Sequence, residues 1–577
     1  MRKLVLTATA VALAVSGCGG GAKQASPQAK AAEQFNAALT EVTNPSDKKG
    51  GTLRLANTDD WDSLDPGDTY YGYSWNFARL YGRALMMSQP APGSGGLKHV
   101  PDLAEAPGVS SDGGKTWTYR LREGVKFEDG TPVTSKDVKY AVLRSTDSEI
   151  LRNGPRYFAS FLDLQGYRGP YKDKGKDTKA IETPDDRTVV FHLKKPYGGF
   201  DYFAALPQTV PVPEAKDTGI KYREHPVATG PYKFETVQPG KQYTLVRNDQ
   251  WDPATDPWRK ALPDRIEVAL KVNGNDMDAR VLAGTLHADI SGNGLQQAAV
   301  GKVLGNPQMR ANADNPGVAA VNYVAVNSQV PPLDNLDCRK AVIYAQDKLA
   351  WQTAVGGEVA GGQIATSLLM PGIPGYTRTD VYPAGADQHG DVAKAREHLA
   401  KCGKPDGFEM AMAYRGERPK EKAAAEATQQ ALARVGIKLT LKSYPAGDYF
   451  AQYAGNPPFA KQNGLGLLAM AWTCDWFDGF GCLQQLVDSR LILPGGGNTN
   501  LSIRSDTVDG LVDEALAEVD NAKRDGLWAR IDKQIMDEAF VIPGAWRKVL
   551  LYRGKGVTNV FVNDAFGHYD YLAMGVE

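Results

Sequence analysis

Segments with the two-residue period of a strand and segments with the longer period of a helix follow one another from about residue 50 onward. The pattern predicts early strands at residues 51–57, 117–121, 188–193, 243–247 and 265–272. From about residue 316 the alternation is cleaner, with a strand at 321–326 and a helix at 337–355 that Asp337 is placed to cap. These elements predict an α/β fold.

The second half of the chain contains a complete strand–helix–strand unit. A strand at 408–415 precedes an alanine-rich helix at 419–435, which has Pro419 at its start and Gly436 just past its end, and a second strand occupies 437–443. Such units are overwhelmingly right-handed, with parallel strands. Further helices are expected at 391–402, 506–520 and 524–539, and further strands at 466–472, 541–551 and 556–562.

Two segments of this half lie where a ligand is expected to bind. In open α/β sheets, ligands bind in the crevice beyond the carboxyl ends of the strands. Arg415 lies at the end of the first strand of the unit, and residues 472–477 lie at and beyond the end of the strand at 466–472. A block at 145–183, rich in Gly, Tyr, Lys and Asp, predicts a long surface insertion.

The amino-terminal segment predicts export. Arg2 and Lys3 precede an apolar run at 4–15, and small residues lie directly before Cys18. The run is too short to span a bilayer. It resembles the lipobox of bacterial lipoproteins, which implies that residues 1–18 are a signal peptide and that Cys18 carries acyl chains on the extracytoplasmic face of the cell membrane. A chance match behind an uncleaved apolar stretch is the alternative.

Residues 19–49 are rich in Gly, Ala, Gln, Lys and Ser and have no sustained apolar periodicity. They predict a flexible tether, with folded structure beginning near Gly51. The remaining chain of the 577 residues is long enough for two or three domains with real cores. Lys and Arg total 66 and Asp and Glu total 67, for a net charge of −1, so nucleic acid and acidic membrane surfaces are not expected as partners.

Four cysteines follow Cys18, and an even number in an oxidising compartment suggests two disulfides. Cys474 and Cys482 flank a short loop and are the favoured pair. Cys338 and Cys402, each at the end of a predicted helix, would then form the second pair. Free buried thiols remain the alternative, and the spacings do not suit a zinc site.

Catalytic and cofactor motifs are missing from the sequence. It contains no HExxH, GxSxG, GxxxxGK[ST] or GxGxxG pattern, and its seven histidines are scattered through different predicted elements. The one SxxK match, Ser46 to Lys49, lies in the predicted tether, where nothing would hold the two side chains in reacting geometry. We therefore expect neither an enzyme nor a bound metal or cofactor.

Residues 101–144 carry a longer signal, PDLAEAPGVSSDGGKTWTYRLREGVKFEDGTPVTSKDVKYAVLR. This segment resembles the signature region of the family 5 extracellular solute-binding proteins, the peptide-, dipeptide- and nickel-binding components of ABC importers. Its most specific part is 121–138. Further blocks resemble the family in the same order along the chain, at 226–234, 282–290, 339–348 and 520–543.

The resemblance implies a two-lobe fold of the type II periplasmic-binding-protein kind, with an extra subdomain in lobe I and a ligand enclosed between the lobes. Lobe I would comprise 50–90, 205–312 and 538–577, the inserted subdomain 91–204, and lobe II 313–537. The implied protein is a monomer that uses no cofactor, is not an enzyme, and delivers a small-molecule ligand, a peptide, to the transmembrane subunits of an ABC permease.

The resemblance also implies candidate ligand contacts. Trp472 to Asp475 matches a W-x-x-D pattern whose aspartate pairs with a peptide's N-terminal ammonium in peptide-binding members. A turn-capping role for Asp475 or Asp478 is the alternative. Arg415 resembles the arginine that receives the C-terminal carboxylate in dipeptide binders, and a surface salt bridge is its alternative, because about seven residues around 456–462 are extra between the two motifs.

Two aromatic groups are candidate cleft residues. Trp472, Trp476 and Phe477 lie beside Asp475, and Tyr70 and Tyr71 lie near the edge of lobe I. Their rings suit peptide side chains or sugar rings, while core packing is the alternative. We expect an oligopeptide or dipeptide ligand. An oligosaccharide is the second possibility, a nickel chelate the third, and a secreted hydrolase on the same scaffold a distant fourth.

Overall fold

Two large sheets organise the chain, which the computed structural model describes over residues 35–518 and 520–577. The first sheet has five strands in the order Ala288–Asp289, Thr52–Ala56, Arg265–Ala269, Gln242–Arg247 and Tyr232–Gln238. Its first three strands are parallel and the remaining pairs antiparallel. This sheet forms the centre of lobe I.

The second sheet has six strands and forms the centre of lobe II. Their order is Gly362–Ile364, Val541–Lys548, Gly317–Val326, Leu465–Thr473, Glu409–Arg415 and Lys438–Tyr444. The last three strands are parallel and the other pairs antiparallel. The predicted strand–helix–strand unit is therefore confirmed, with the helix Pro419–Ala433 between its two parallel strands.

A third, antiparallel sheet lies in the inserted subdomain, with its strands in the order Val109–Ser111, Thr116–Arg120, Thr188–His192 and Ile181–Asp185. The sequence predicts that the block at 145–183 is a surface insertion, but part of this block is buried. It contains the helix Tyr157–Phe161, in which Tyr157 is fully buried. Tyr157 packs its ring against Trp476 and Phe480 of lobe II, so this subdomain shares apolar core with lobe II.

Helices cover both large sheets, and the longest one in the described residues is Asn521–Asp537. The others of at least seven residues are Gly72–Ala78, Ser135–Arg144, Gly274–Ala283, Gln297–Gly305, Leu336–Ala345, Lys348–Ala354, Val392–Lys401, Pro419–Ala433, Gly479–Val487 and Asp506–Ala517. Within the described parts of the chain, none of the helices combines the length and apolar character needed to cross a membrane.

The single helix predicted at 337–355 is wrong, because the structure has two helices there. Gln346 adopts an extended conformation after Leu336–Ala345. The Asp347 carboxylate then accepts a hydrogen bond from the Ala350 amide and starts Lys348–Ala354. The cap of the first helix is Asn335 rather than Asp337. An internal N-cap residue therefore divides a continuous apolar pattern.

The chain crosses between the lobes at two adjacent places. The short strands Ala313–Asp314 and Leu551–Tyr552 pair with each other. The strand Gly317–Val326, which follows the first, and the strand Val541–Lys548, which precedes the second, both belong to the lobe II sheet. The strand Val541–Lys548 therefore belongs to the lobe II sheet, whereas the sequence prediction had placed residues 538–577 in lobe I. Two adjacent, antiparallel crossings of this kind are the type of connection about which two lobes close as a hinge.

Residues 35–49 do not form the predicted tether. The Asn36 amide donates to the Ala313 carbonyl oxygen at 3.0 Å, and the Thr43 amide donates to that of Val560 at 2.8 Å. Ala38 is fully buried. Single small side chains dock here without any apolar periodicity, which is why composition alone predicted a flexible segment. Cys18 and residues 19–34 lie outside the described residues.

Two disulfides are present, joining Cys338 to Cys402 and Cys474 to Cys482, the pairs that the sequence favoured. The first joins the helix Leu336–Ala345 to the residue after Val392–Lys401. The second spans the loop that follows the strand Leu465–Thr473 and so restrains the segment where a ligand contact was expected.

Candidate functional site

A cleft between the lobes contains a cavity of about 210 Å³. Residues between 70 and 88 and the segment 291–293 form its wall on the lobe I side, and 470–477 form its wall on the lobe II side. The inserted subdomain contributes Tyr202 and its neighbours. The cavity thus lies at the carboxyl end of the central lobe II strand, where the sequence placed a crevice.

Side chains bridge the lobes across this cleft. The Tyr71 hydroxyl donates to the Ala446 carbonyl oxygen at 3.0 Å. Arg418 of lobe II forms a buried ion pair with Asp59 of lobe I. These contacts bring the two walls together around the cavity.

Asp475 lies in the cleft wall just past the strand Leu465–Thr473. Its Oδ2 accepts hydrogen bonds from the hydroxyls of Tyr70, at 2.7 Å, and Tyr157, at 2.5 Å. Its Oδ1 accepts no hydrogen bond from residues 35–518 or 520–577, and none of their basic nitrogens lies within 4.0 Å of the carboxylate. When it is ionised, the carboxylate therefore has a negative charge that no basic group among the described residues balances.

Burial raises the pKa of Asp475 to about 7, and the two tyrosine hydroxyls oppose the rise by hydrogen bonding to the ionised form. A carboxyl group with this pKa changes its charge near neutral pH. A cation placed against Oδ1 would stabilise the ionised form and would gain a charge-assisted hydrogen bond.

The loop that carries Asp475 is held from both sides. Trp472 donates its indole N–H to the Cys482 carbonyl oxygen at 2.8 Å. Asp478, not Asp475, caps the helix Gly479–Val487, because its Oδ1 accepts from the Gly481 amide at 2.7 Å. The side chain of Asp475 caps no turn, so the structural alternative considered for it does not apply.

The predicted aromatic residues Tyr70, Tyr71, Trp472, Trp476 and Phe477 all line this cavity. Several are stacked on other protein rings. Tyr70 is stacked on Trp75, with ring centroids 5.5 Å apart, and Trp476 is stacked on Tyr202 at 5.1 Å. These stacks fix the shape of the wall and leave one face of each ring covered by protein.

Arg415 is not among the residues that line the cavity, and its side chain is fully buried. Its Nε donates to Glu421 Oε2 at 3.0 Å, and its Nη2 donates to the other oxygen of the same carboxylate. The predicted role of Arg415 as the receiver of a ligand carboxylate is therefore wrong. Glu421, two residues into the following helix, already pairs with Nε and Nη2, while Nη1 is buried without a hydrogen-bond partner among the described residues.

Arg547 is a cation in the cavity wall that has no carboxylate partner among the described residues. It lies at the end of the strand Val541–Lys548 and lines the cavity, and its side chain donates, among residues 35–518 and 520–577, only to the Gly292 carbonyl oxygen, at 2.9 Å. In the described parts of the chain no carboxylate oxygen lies within 4.0 Å of its guanidinium. Burial, with repulsion from Arg418 and Arg415, lowers its pKa to about 10, so it remains charged at neutral pH.

Arg418 and His568 lie beside Arg547 in the cavity wall. The charge of Arg418 is balanced by Asp59 and Glu421. Burial and the neighbouring Arg547 lower the pKa of His568 to about 3, so this imidazole is neutral. One region of the cleft therefore has an unbalanced positive charge, and another, at Asp475, an unbalanced negative charge.

Sequence reasoning missed Tyr157 and Arg547. Tyr157 lies in the block that composition assigned to the surface, and Arg547 lies in a strand that was assigned to the other lobe. Neither belongs to a local motif, and only the order of strands in the lobe II sheet places Arg547 at the cleft. Within residues 35–518 and 520–577, no three His, Cys, Asp or Glu side chains are grouped so that they could hold a metal ion.

Comparison with known proteins gives consistent matches. The family model described as "Bacterial extracellular solute-binding proteins, family 5 Middle" matches residues 98–490. The glutathione-binding protein GsiB of Escherichia coli O6:K15:H31 (strain 536 / UPEC) is 28% identical over 476 residues, which cover 81% of this chain and 84% of GsiB.

Solved structures also match over most of their length. "Clavulanic acid biosynthesis oligopeptide binding protein 2" has a TM-score of 0.83 and 42% sequence identity, covering 94% of this chain and 98% of its own. The periplasmic binding protein DppA from Helicobacter pylori, in complex with the peptide STSA, has a TM-score of 0.74 and 20% identity, covering 92% and 99%. At 20% identity, the likeness to DppA shows a shared fold and nothing more.

Proposed function

Because this chain belongs to the bacterial extracellular solute-binding proteins of family 5, we propose that it captures peptides with free termini in the interlobe cleft and delivers them to an ABC permease. The protein would act as a monomer, and the transmembrane subunits of the permease would be its partners. The matched relatives are solute-binding proteins and not enzymes, so the role is binding without chemical change of the ligand.

The observation that carries the peptide assignment is the pair of unbalanced charges in one cavity. Asp475 offers a free carboxylate oxygen, and Arg547 offers guanidinium N–H groups with no carboxylate partner among the described residues. A peptide with free termini has an ammonium at one end and a carboxylate at the other. It would balance both charges at once, and a buried charge is stable only when it is paired.

The names of two relatives support a ligand of this class. GsiB is a glutathione-binding protein, and the structural relative with 42% identity is an oligopeptide-binding protein. An oligosaccharide would leave both charges unpaired. One face of the Tyr70 ring and one face of the Trp476 ring are also unavailable for stacking on a sugar, because Trp75 and Tyr202 cover them.

Thermal unfolding and titration calorimetry with pools of short peptides, cello- and xylo-oligosaccharides and nickel chelates test the assignment. We expect the unmodified peptide pool to raise the unfolding midpoint, since a ligand at about 100 times its Kd adds about 2.7 kcal/mol of stability. The sugars and nickel chelates should give no shift. A shift with sugars and none with peptides would reject the peptide assignment.

We also propose that the mature protein is a lipoprotein anchored through Cys18. The support is the sequence, in which Arg2 and Lys3, the apolar run and the small residues before Cys18 follow one another in the lipobox order. Mass spectrometry of the mature amino terminus should find acyl chains on Cys18 and no residue before it. An intact leader, or cleavage at another position without lipid, would contradict this anchor.

A further inference from the structure

A second, smaller cavity of about 50 Å³ adjoins the main one. The two share Asn293, Arg418, Arg547 and the strand residues Met470 and Ala471 as lining. The second cavity also reaches Lys420, in the first turn of the helix Pro419–Ala433. We call this second cavity the basic pocket.

Lys420 is a second cation without a neighbouring carboxylate. Its Nζ donates to the carbonyl oxygens of Asn293, at 3.0 Å, and Ala360, at 3.2 Å. In the described chain no carboxylate oxygen lies within 4.0 Å of it. Burial and repulsion from Arg547 lower its pKa to about 8, and Asp278 and Asp289 oppose this from a greater distance.

Positive charge exceeds negative charge around the basic pocket. The cations are Arg415, Arg418, Lys420, Arg547 and Lys548, and the acidic groups in direct contact with them are Asp59 and Glu421. Arg415 and Arg418 use these two carboxylates, which leaves Lys420 and Arg547 unbalanced. The helix Pro419–Ala433 also begins here without a side-chain cap, so its amide dipoles add to the positive potential.

The volume of the pocket limits what it could hold. A single water needs about 10–15 Å³ on this measure, so 50 Å³ suits a group of a few heavy atoms. A carboxylate on one or two methylene groups is of that size. Apolar contact for the methylenes is available, because Trp351, Val355 and Ala360 also line the pocket.

We propose that the basic pocket binds a second carboxylate of the ligand, so that the protein prefers peptides whose C-terminal residue is glutamate or aspartate. This inference rests on the proposed peptide-binding function, with the α-carboxylate at Arg547. The side-chain carboxylate of the same residue would then lie against Lys420 and the helix N-terminus.

The test compares two degenerate pools of peptides of about three to five residues, identical except that one ends in glutamate and the other in glutamine. The protein is incubated with both in a buffer without phosphate or sulfate, and retained peptides are quantified by mass spectrometry. We expect the glutamate pool to be retained about tenfold or more over the glutamine pool, the ratio given by one charge-assisted hydrogen bond.

Lys420→Met should bring that ratio close to one, because the pocket then lacks the cation that distinguishes glutamate from glutamine. The matched control is Lys422→Met on the same helix, whose side chain is exposed and pairs with Glu426, and it should keep the wild-type ratio. Equal retention of both pools by the wild type would overturn the inference and leave the peptide function standing. Retention of neither pool would reject the peptide function and this inference with it.

Discussion

Asp475→Asn should weaken the binding of peptides with a free amino terminus by about 30-fold or more, while N-acetylated peptides lose little. The reason is that the substitution removes the negative charge and keeps the shape, so the tyrosine hydroxyls can still donate to the side chain. Removing one partner of an enclosed, hydrogen-bonded charge pair costs about 2–5 kcal/mol, which corresponds to that loss. Calorimetry with matched free and acetylated peptides measures it.

Asp478→Asn is the matched control in the same loop. Asp478 caps the helix Gly479–Val487, and asparagine caps a helix about as well as aspartate, so this replacement should leave both the unfolding midpoint and the ratio of free to acetylated affinity close to the wild-type values. Equal losses for free and acetylated peptides in Asp475→Asn would remove the ammonium-binding role from Asp475.

The same carboxyl group predicts how binding depends on pH in the wild type. The ligand-free Asp475 carboxyl has a pKa of about 7, and an ammonium partner would hold it ionised, so binding below about pH 7 releases a proton. Affinity should therefore fall as pH decreases from about 7 to about 5, approaching tenfold per pH unit. The peptide's own ammonium has a pKa of about 7.7–8.0, so it is close to fully charged throughout that range and does not contribute to the fall.

The raised pKa also has a consequence for stability. An unperturbed aspartate ionises near 3.8 and this one near 7, so the ligand-free folded state binds more protons between these values. The contribution of Asp475 to the free energy of unfolding therefore falls as pH rises from about 4 to about 7. Asp475→Asn should consequently be at least as stable as the wild type near pH 8, which separates a binding defect from a folding defect. A wild-type affinity that did not change with pH would contradict an unpaired Asp475.

Local patterns were sufficient to predict the elements that lie within one short segment. The strand–helix–strand unit around Pro419 and Gly436 has its own start and stop residues, and the structure has it as expected. The loop carrying Asp475 could also be located, because a four-residue pattern follows directly from the apolar strand Leu465–Thr473. Each of these features is determined by residues close in sequence.

Features that depend on distant residues were not predictable in this way. Arg415 does end a strand, as expected, but its charge is used by Glu421 in the next element. Arg547 reaches the cleft because its strand belongs to the lobe II sheet, and Tyr157 because its helix packs against lobe II. The hydrophobic periodicity of a segment does not indicate which distant segment it will pack against. The partner of a charge is set by tertiary contacts, so a single sequence locates candidate charged residues without showing which remain free.

Arg547→Met should weaken peptides with a free C-terminal carboxylate by about 10- to 100-fold, and their C-terminal amides much less. The guanidinium would form charge-assisted hydrogen bonds with the carboxylate, worth about 1.5–3 kcal/mol, and methionine retains much of the apolar stem. Burial and repulsion from Arg418 and Arg415 lower the pKa of Arg547, so its removal should not lower the stability of the ligand-free protein. Calorimetry with acid and amide forms of one peptide measures the ratio.

Arg415→Gln distinguishes the arginine expected from the sequence from the arginine found in the cleft. Because Arg415 is fully buried and bound to Glu421, its replacement leaves that carboxylate less well paired and should lower the unfolding midpoint. The preference for acid over amide should survive in this variant and disappear in Arg547→Met. If Arg415→Gln abolished the preference and Arg547→Met kept it, the carboxylate end of the ligand would have to be reassigned to Arg415, together with a rearrangement that frees it from Glu421.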